Sequence, residues 1–227
     1  MGSDDFFKRK ALNDKDRKAG NKESKPSSFL IVSEGEKTEP LYFDGLASYI
    51  NKKYDSNIDT KPYINTQGEG KCTVSLVLAA IEYDNRSKIK YMQRWVIFDK
   101  DDFSDFDEAI QLAQANGIRI AWSNQSFEYW LYLHFYYCAS ALHRDVWVEK
   151  LNDIFIKRGI STEGYEKNNS DIFKHMTRYG SLKNAVQYAK RVELLYKDTD
   201  CPSSCDPCTK VHHLINELKP FMEELFK

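Results

Sequence analysis

The chain has 227 residues, of which 41% are hydrophobic and 14% aromatic, so it is long enough to bury one substantial core. No apolar run approaches the roughly 20 residues that a membrane-spanning helix needs, and the charged N-terminus lacks the core of a signal peptide. The five cysteines do not form the dense, even pattern of a secreted disulfide scaffold. We therefore expect a cytoplasmic protein without a membrane partner.

Residues 1–26 are polar and charged and show little periodicity, which predicts a flexible charged arm. Within residues 1–25, eight Lys and Arg face five Asp and Glu, a net charge of +3, so the rest of the chain carries −4 of the total of −1. A slightly acidic body argues against binding nucleic acid by charge alone. Bound metal or local basic patches must supply any contact with phosphate.

Four short apolar segments alternate with amphipathic segments between residues 27 and 122. This pattern predicts strands at 28–33, 58–66, 94–98 and 118–122, and helices at 40–50, 73–83 and 106–116. The second strand contains a proline, which suits an edge position. The alternation predicts an α/β fold with a mostly parallel sheet and helices on both faces.

Beyond residue 126 the periodicity is helical. An aromatic helix is predicted at 126–137, followed by helices at 145–158, 170–178, 181–197 and 209–226. The expected organisation is a core at 27–137 and a helical C-terminal extension at 138–227, packed on that core.

Carboxylates follow two of the predicted strands. Glu34 comes directly after the first strand, and Asp99, Asp101 and Asp102 follow the strand at 94–98. In open α/β sheets, ligands bind outside the carboxyl ends of the strands. Clustered carboxylates repel one another unless a cation compensates, and hard oxygen ligands suit Mg²⁺ or Mn²⁺. The sequence therefore predicts a magnesium site suited to phosphoryl transfer or phosphodiester cleavage.

A capping role is the alternative for two of these aspartates. Asp101 and Asp102 would then begin a helix from Phe103 onward, where Asp is a favoured residue. This explanation applies less well to Asp99, which adjoins an apolar strand.

Glu128 lies in the aromatic helix, which is apolar around nearly its whole circumference. Burying a carboxylate without a partner costs several kcal/mol, so a cation, an arginine or a strong donor must lie nearby. Metal ligation and a role in the first turn of the helix both satisfy this requirement. His134 in the same helix is interpreted as a hydrogen-bonded core histidine rather than a catalyst.

Three weaker signals concern phosphate and zinc. Lys37 in the acidic loop and Lys71 before the second helix are candidate phosphate contacts, although solvated loop charge explains Lys37 equally well. A candidate zinc site, with free thiols as the alternative, comprises Cys201, Cys205 and Cys208 together with His212 or His213.

Three segments together resemble the RloB family. They are FLIVSEGEKTEP at 29–40, VIFDKDDF at 96–103 and SNQSFEYWLYLHF at 123–135. The resemblance extends over most of residues 28–220. The family is of Toprim type, similar in its catalytic core to topoisomerase, primase and overcoming-lysogenization-defect nuclease domains.

The resemblance implies a Toprim-like fold and Mg²⁺-dependent cleavage of DNA or RNA. It assigns Glu34 as metal ligand or general acid/base, Asp99 and Asp101 as an Asp-x-Asp ligand pair, and Glu128 as a further catalytic carboxylate. It also implies a role in prokaryotic antiphage defence (abortive infection) or a restriction-associated system, beside an ABC- or AAA-type ATPase partner. A non-catalytic sensor or adaptor that docks to the ATPase is the alternative, and a zinc-dependent nucleic-acid binder is a third.

Overall fold

The structure is a computed structural model that describes residues 22–25, 27–54, 61–197 and 200–227. Its strands are β1 (Glu23–Ser24), β2 (Ser28–Ser33), β3 (Tyr63–Gly68), β4 (Ile89–Lys90), β5 (Gln93–Ile97), β6 (Arg119–Ile120), β7 (Ser123–Asn124) and β8 (Cys208–Thr209). Its α-helices are α1 (Thr38–Lys53), α2 (Thr73–Arg86), α3 (Phe106–Ala115), α4 (Phe127–Leu133), α5 (Arg144–Lys157), α6 (Ile172–Tyr179), α7 (Leu182–Glu193) and α8 (Val211–Leu218).

The central sheet has four strands in the order β3-β2-β5-β6, and every pairing in it is parallel. The predicted alternation of strands and helices is confirmed, and β3 occupies the predicted edge. Parallel neighbours need a crossover between them, which α1, α2 and α3 supply. The architecture is α/β and consistent with a Toprim-like fold.

Side chains alternate along β2 into two hydrophobic cores, one on each face of the sheet. Phe29 and Ile31 belong to the core that also contains residues of α1 and α4 to α8. Leu30 and Val32 belong to the core formed with α2 and α3. The C-terminal helices therefore share a core with one face of the sheet.

The last sheet strand is shorter than predicted. The strand β6 ends at Ile120, and β7, which follows it, pairs antiparallel with β8. A separate parallel bridge joins Asp99 to Ser123. The helix predicted at 209–226 accordingly begins only at Val211 and is followed by two short 3₁₀ turns, because Thr209 is committed to β8.

Other element boundaries also differ from the predictions, among them the end of the helix predicted at 181–197, which lies at Glu193. The aromatic helix ends at Leu133, and Tyr136 beyond it is 46% exposed rather than buried. Of the predicted arm, residues 1–21 and 26 lie outside the described residues, whereas Glu23 and Ser24 pair with β4. Residues 58–60 of the predicted edge strand are also outside them. In the described part of the chain, no helix is long and apolar enough to cross a bilayer.

Candidate functional site

Glu34 and Asp99 lie side by side at the carboxyl edge of the sheet. The neighbouring strands β2 and β5 end there, and the backbone N–H of Glu34 donates to the carbonyl of Ile97 at 2.8 Å. The backbone N–H of Asp99 in turn donates to Glu34 Oε2 at 3.2 Å. The topology thus brings together two carboxylates that are 65 residues apart in the chain.

Two buried glutamates from helix starts complete this group. Glu39 is in the first turn of α1 and is 7% exposed, and Glu128 is in the first turn of α4 and is 3% exposed. We call Glu34, Glu39, Asp99 and Glu128 the carboxylate centre. All four line a cavity of about 600 Å³. The positive ends of two helix dipoles favour anionic groups at this position.

The carboxylates raise one another's proton affinity. Burial, with repulsion from Asp101, Glu39 and Asp105, raises the pKa of Glu34 to about 7. Burial and repulsion from Glu128 raise the pKa of Glu39 to about 7.

The pKa of Asp99 is raised by the same two effects. Burial, followed by repulsion from Glu39 and Glu128, raises its pKa well above the usual range of an aspartate. A bound cation would relieve this repulsion, because it favours the ionised form of every carboxylate around it.

The two carboxylate oxygens of Asp99 have different surroundings. Oδ2 accepts a hydrogen bond from the backbone N–H of Phe127 at 3.0 Å, while Oδ1 is buried and accepts none from the described residues. A buried oxygen without a partner costs free energy, and a metal ion is one group that would satisfy it. Asp99 Oδ1 is therefore the atom that best fits a cation.

The donor set fits Mg²⁺ held by few protein ligands. Among the described residues, the carboxylates of the centre do not form a trio of ligand atoms within 4.8 Å of one another. Mg²⁺ usually keeps several waters and takes one or two carboxylates from the protein. Glu34 and Asp99, which follow neighbouring strands of the sheet and line the same cavity, would supply those two.

Asp101 is close to the centre but is engaged elsewhere. It lines the cavity, has a φ of 39° and forms an ion pair with Arg144 at the start of α5. A left-handed φ is uncommon outside glycine, although Asp tolerates it better than most residues. Ligation of a metal by Asp101 would require this ion pair to open.

Asp102 is exposed and does not line the cavity. Asp102 does not cap a helix that starts at Phe103, because α3 begins only at Phe106. The residue before α3, Asp105, instead accepts a hydrogen bond from Thr73 Oγ1 at 2.7 Å and so links the start of α3 to the start of α2.

Basic side chains border the carboxylate centre. Lys167, from the loop between α5 and α6, lies 3.1 Å from Glu128 Oε1, and the Tyr165 hydroxyl donates to the same oxygen at 3.2 Å. Burial lowers the pKa of Lys167, but the hydrogen bond and attraction to Glu128, together with the charges of Asp99 and Glu39, outweigh it, and the net direction is upward. Thr38 Oγ1 donates to the carbonyl of Lys167 at 3.1 Å and fixes the loop against α1.

Lys37 and Lys71 are exposed side chains on the same cavity. Lys71 also pairs with Glu69 at 3.0 Å. Both positions are compatible with the predicted contacts to phosphate.

A second cavity of about 470 Å³ borders the centre from the side of α5. It shares Asp99, Asp101 and Lys167 with the first cavity and adds Arg144. Carboxylates at the meeting point and cations on the walls suit a ligand that carries phosphate groups.

The remaining sequence candidates lie apart from this centre. His134 is 1% exposed, shares a hydrogen bond of 3.2 Å with the Tyr42 hydroxyl, and burial lowers its pKa to about 4. Cys205 and Cys208 are buried and Cys201 is exposed. Within the described residues, no trio of potential ligand atoms within 4.8 Å contains a cysteine.

Three residues of the site have no sequence signal strong enough to identify them. Glu39 reads as an ordinary acidic residue in the first turn of a helix. Arg144 and Lys167 lie in the helical extension, where basic residues are common. For Glu39, its place in the acidic loop after the first strand was the one available signal.

Comparison with known proteins identifies one family. A model of the family described as RloB-like protein matches residues 29–218. No curated protein and no solved structure matches the chain.

Proposed function

Since the chain belongs to the family of RloB-like proteins, we propose that it is a Mg²⁺-dependent nuclease of Toprim type that cleaves phosphodiester bonds of nucleic acid. We further propose that it acts in the cytoplasm as the effector subunit of a prokaryotic antiphage defence or restriction-associated system. The proposed partner is an ABC- or AAA-type ATPase.

The observation that carries the proposal is the unpaired Oδ1 of Asp99 within a group of four carboxylates at the end of a parallel sheet. Such a group is destabilising without a cation and becomes favourable with one. In nucleases, bound Mg²⁺ activates water and stabilises charge that develops on the phosphate.

The proposed roles of the side chains follow from their positions. Asp99 and Glu34 hold the metal. Glu39, with a pKa of about 7, is suited to accept or donate a proton near neutral pH, and Glu34 is the alternative for this role. Lys167 and Arg144 orient the phosphate from the two cavities.

Paired substitutions of two aspartates test the metal site. We expect Asp99→Asn to lower Mg²⁺-dependent cleavage by at least ~100-fold, because loss of a ligand exceeds the effect of losing an outer-shell partner. Asp102→Asn is the matched control, since Asp102 is exposed and three residues away, and it should retain activity. The assay uses panels of labelled DNA and RNA, with the chain alone and with the proposed ATPase partner.

Equal activity of wild type and Asp99→Asn under every condition that gives cleavage would exclude this site as the source of activity. The ATPase must be present in the assay because a defence effector that required its partner would be silent alone.

One observation favours a second function, that of a non-catalytic sensor or adaptor for the ATPase. Asp101, part of the Asp-x-Asp pair, is held by Arg144 rather than free to bind metal. If the chain is an adaptor, the wild-type protein and Asp99→Asn should bind the ATPase equally well, and neither should cleave nucleic acid.

A further inference from the structure

A second group of potential metal ligands lies in the C-terminal region, away from the carboxylate centre. Glu193 is the last residue of α7, and His212 and His213 are in the first turn of α8. His212 Nε2 lies 2.7 Å from Glu193 Oε2, and His213 Nε2 lies 3.0 Å from Glu193 Oε1. In the described residues, this is the one trio whose ligand atoms all lie within 4.8 Å of one another.

The hydrogen bond on the other nitrogen of His212 is informative. Nδ1 lies 3.1 Å from the carbonyl oxygen of Thr209, which only accepts, so Nδ1 carries a proton. A neutral His212 would then present the lone pair of Nε2 to the carboxylate of Glu193. Two acceptors face each other comfortably only when a cation or a proton lies between them.

The position of His212 in the fold suits a metal ligand. Only 1% of His212 is exposed, so its ring is held in place by its surroundings. A backbone carbonyl that holds Nδ1–H is also the usual outer-shell partner of a metal-bound histidine, since it fixes the ring and its tautomer.

We propose that Glu193, His212 and His213 bind one Zn²⁺ ion, with water at the remaining position. Two imidazole nitrogens and one carboxylate form a donor set that zinc accepts in proteins. Glu193 and His213 also line a cavity of about 770 Å³, which gives the ion a path of entry. This site shares its histidines with the zinc site considered from the sequence but uses Glu193 in place of the cysteines.

The ion would connect α7 to α8. Residues 194–210 separate these two helices in the chain, and β8 lies shortly before α8. Thr209 of β8 bonds through Oγ1 to Ser123 Oγ at 3.0 Å, and Ser123 bridges to Asp99. Zinc would therefore hold in place the segment that supports the carboxylate centre.

Lys210 competes with a metal ion for the carboxylate of Glu193. It also contacts Glu193, and its side chain is 26% exposed. Its long stem allows the ammonium group to turn to solvent when an ion binds. If Lys210 and a protonated His212 satisfy Glu193 by themselves, no zinc binds.

Metal analysis of three variants tests the proposal. Tag-free protein is treated with chelator, supplied with Zn²⁺ in the presence of Mg²⁺, and measured by elemental analysis and by competition with a chromophoric chelator. We expect one zinc per chain in wild type and in Cys205→Ser, and at least ~100-fold weaker binding in His213→Ala and Glu193→Gln. His213 is 48% exposed at its side chain, so its replacement should preserve the fold, which circular dichroism checks.

Cobalt substitution identifies the ligand type. Wild type loaded with Co²⁺ should show d–d bands without a thiolate charge-transfer band. Absence of bound zinc from wild type would overturn the proposal, as would zinc retained by both His213→Ala and Glu193→Gln. Loss of zinc from Cys205→Ser would overturn it in favour of the cysteine site.

Discussion

Glu39 shows how the position of a side chain in the fold changes the chemistry of an ordinary residue type. Glu36, three residues earlier, is exposed, whereas Glu39 is buried in the first turn of α1 and lines the same cavity as Glu128. In the folded protein without metal, the pKa of Glu39 is therefore about 7, and Glu39 keeps its proton until the pH approaches that value.

This difference makes stability depend on pH. Between the ordinary glutamate pKa of 4.5 and the folded value of about 7, the folded chain holds a proton that the unfolded chain has lost. The free energy of unfolding consequently falls as pH rises through this interval.

Glu39→Gln removes one of the groups responsible, because an amide does not ionise. In the presence of a chelator, we expect the melting temperature of the variant to exceed that of wild type by several degrees at pH 8 and by little at pH 5. For a chain of this length, each kcal/mol of added stability raises the melting temperature by about 2–4 °C. Thermal denaturation across this pH range measures the difference. Glu108→Gln on the exposed side of α3 is the control and should follow wild type. A constant offset between Glu39→Gln and wild type at all pH values would contradict the assignment.

Lys167 allows a second test at the level of one residue. Its ammonium group faces Glu128 and lines both cavities, so a bound phosphate would gain from it. We expect Lys167→Met to raise the KM for nucleic acid about 10-fold, equivalent to roughly 1.4 kcal/mol. Lys174→Met, an exposed lysine in α6, is the control for general loss of charge. Equal KM values for the two variants would remove Lys167 from the proposed binding surface.

The site residues that could be predicted from the sequence are those that directly follow a strand. Glu34 and Asp99 directly follow apolar strands, so local patterning alone predicts that they meet. Lys167 and Arg144 reach the centre only through the packing of the C-terminal helices, and no local pattern encodes that packing. The two-residue pair of β7 and β8 is likewise too short to produce a periodic signal.

At the scale of elements, α1 and α6 pack closely at Gly45. A Cβ atom at this position would lie 2.8 Å from Phe173 Cβ, well inside the roughly 3.5–4.0 Å of a favourable carbon contact. Glycine in α1 therefore costs helix propensity but permits the two helices to approach.

Gly45→Ala measures this contact. The added methyl should cost about 1–3 kcal/mol by overpacking, against a gain of about 1 kcal/mol in helix propensity. We expect a net destabilisation of up to about 2 kcal/mol in denaturant unfolding. Ser48→Ala, at an exposed position of the same helix, should change stability by less than about 0.5 kcal/mol. A stabilised Gly45→Ala would show that α1 and α6 are farther apart.

At the scale of the whole molecule, one hydrophobic core unites the N-terminal and C-terminal halves. Phe29 of β2 and Met222 near the C-terminus belong to the same buried cluster. The loop that carries Lys167 is therefore anchored to the sheet through a continuous core. Site geometry depends on both halves of the chain.

The distribution of charge predicts how strongly nucleic-acid binding depends on salt. Residues 26–227 carry a net charge of −4, so a bound nucleic acid should contact few cations. Four basic side chains border the two cavities, namely Lys37, Lys71, Arg144 and Lys167. Four phosphate contacts correspond to a slope of log K against log[salt] of about −3 to −4 for duplex DNA and about −3 for single strands.

Fluorescence anisotropy with a labelled oligonucleotide, in chelator to prevent cleavage, measures this slope. Lys71→Ala should weaken binding similarly for all sequences and reduce the magnitude of the slope by about 1. Lys157→Ala is the matched control, because Lys157 is exposed on α5 and pairs with Asp153 away from the cavities. A wild-type slope steeper than about −6 that Lys71→Ala left unchanged would place the nucleic acid on a different surface, since the four side chains cannot release that many counterions.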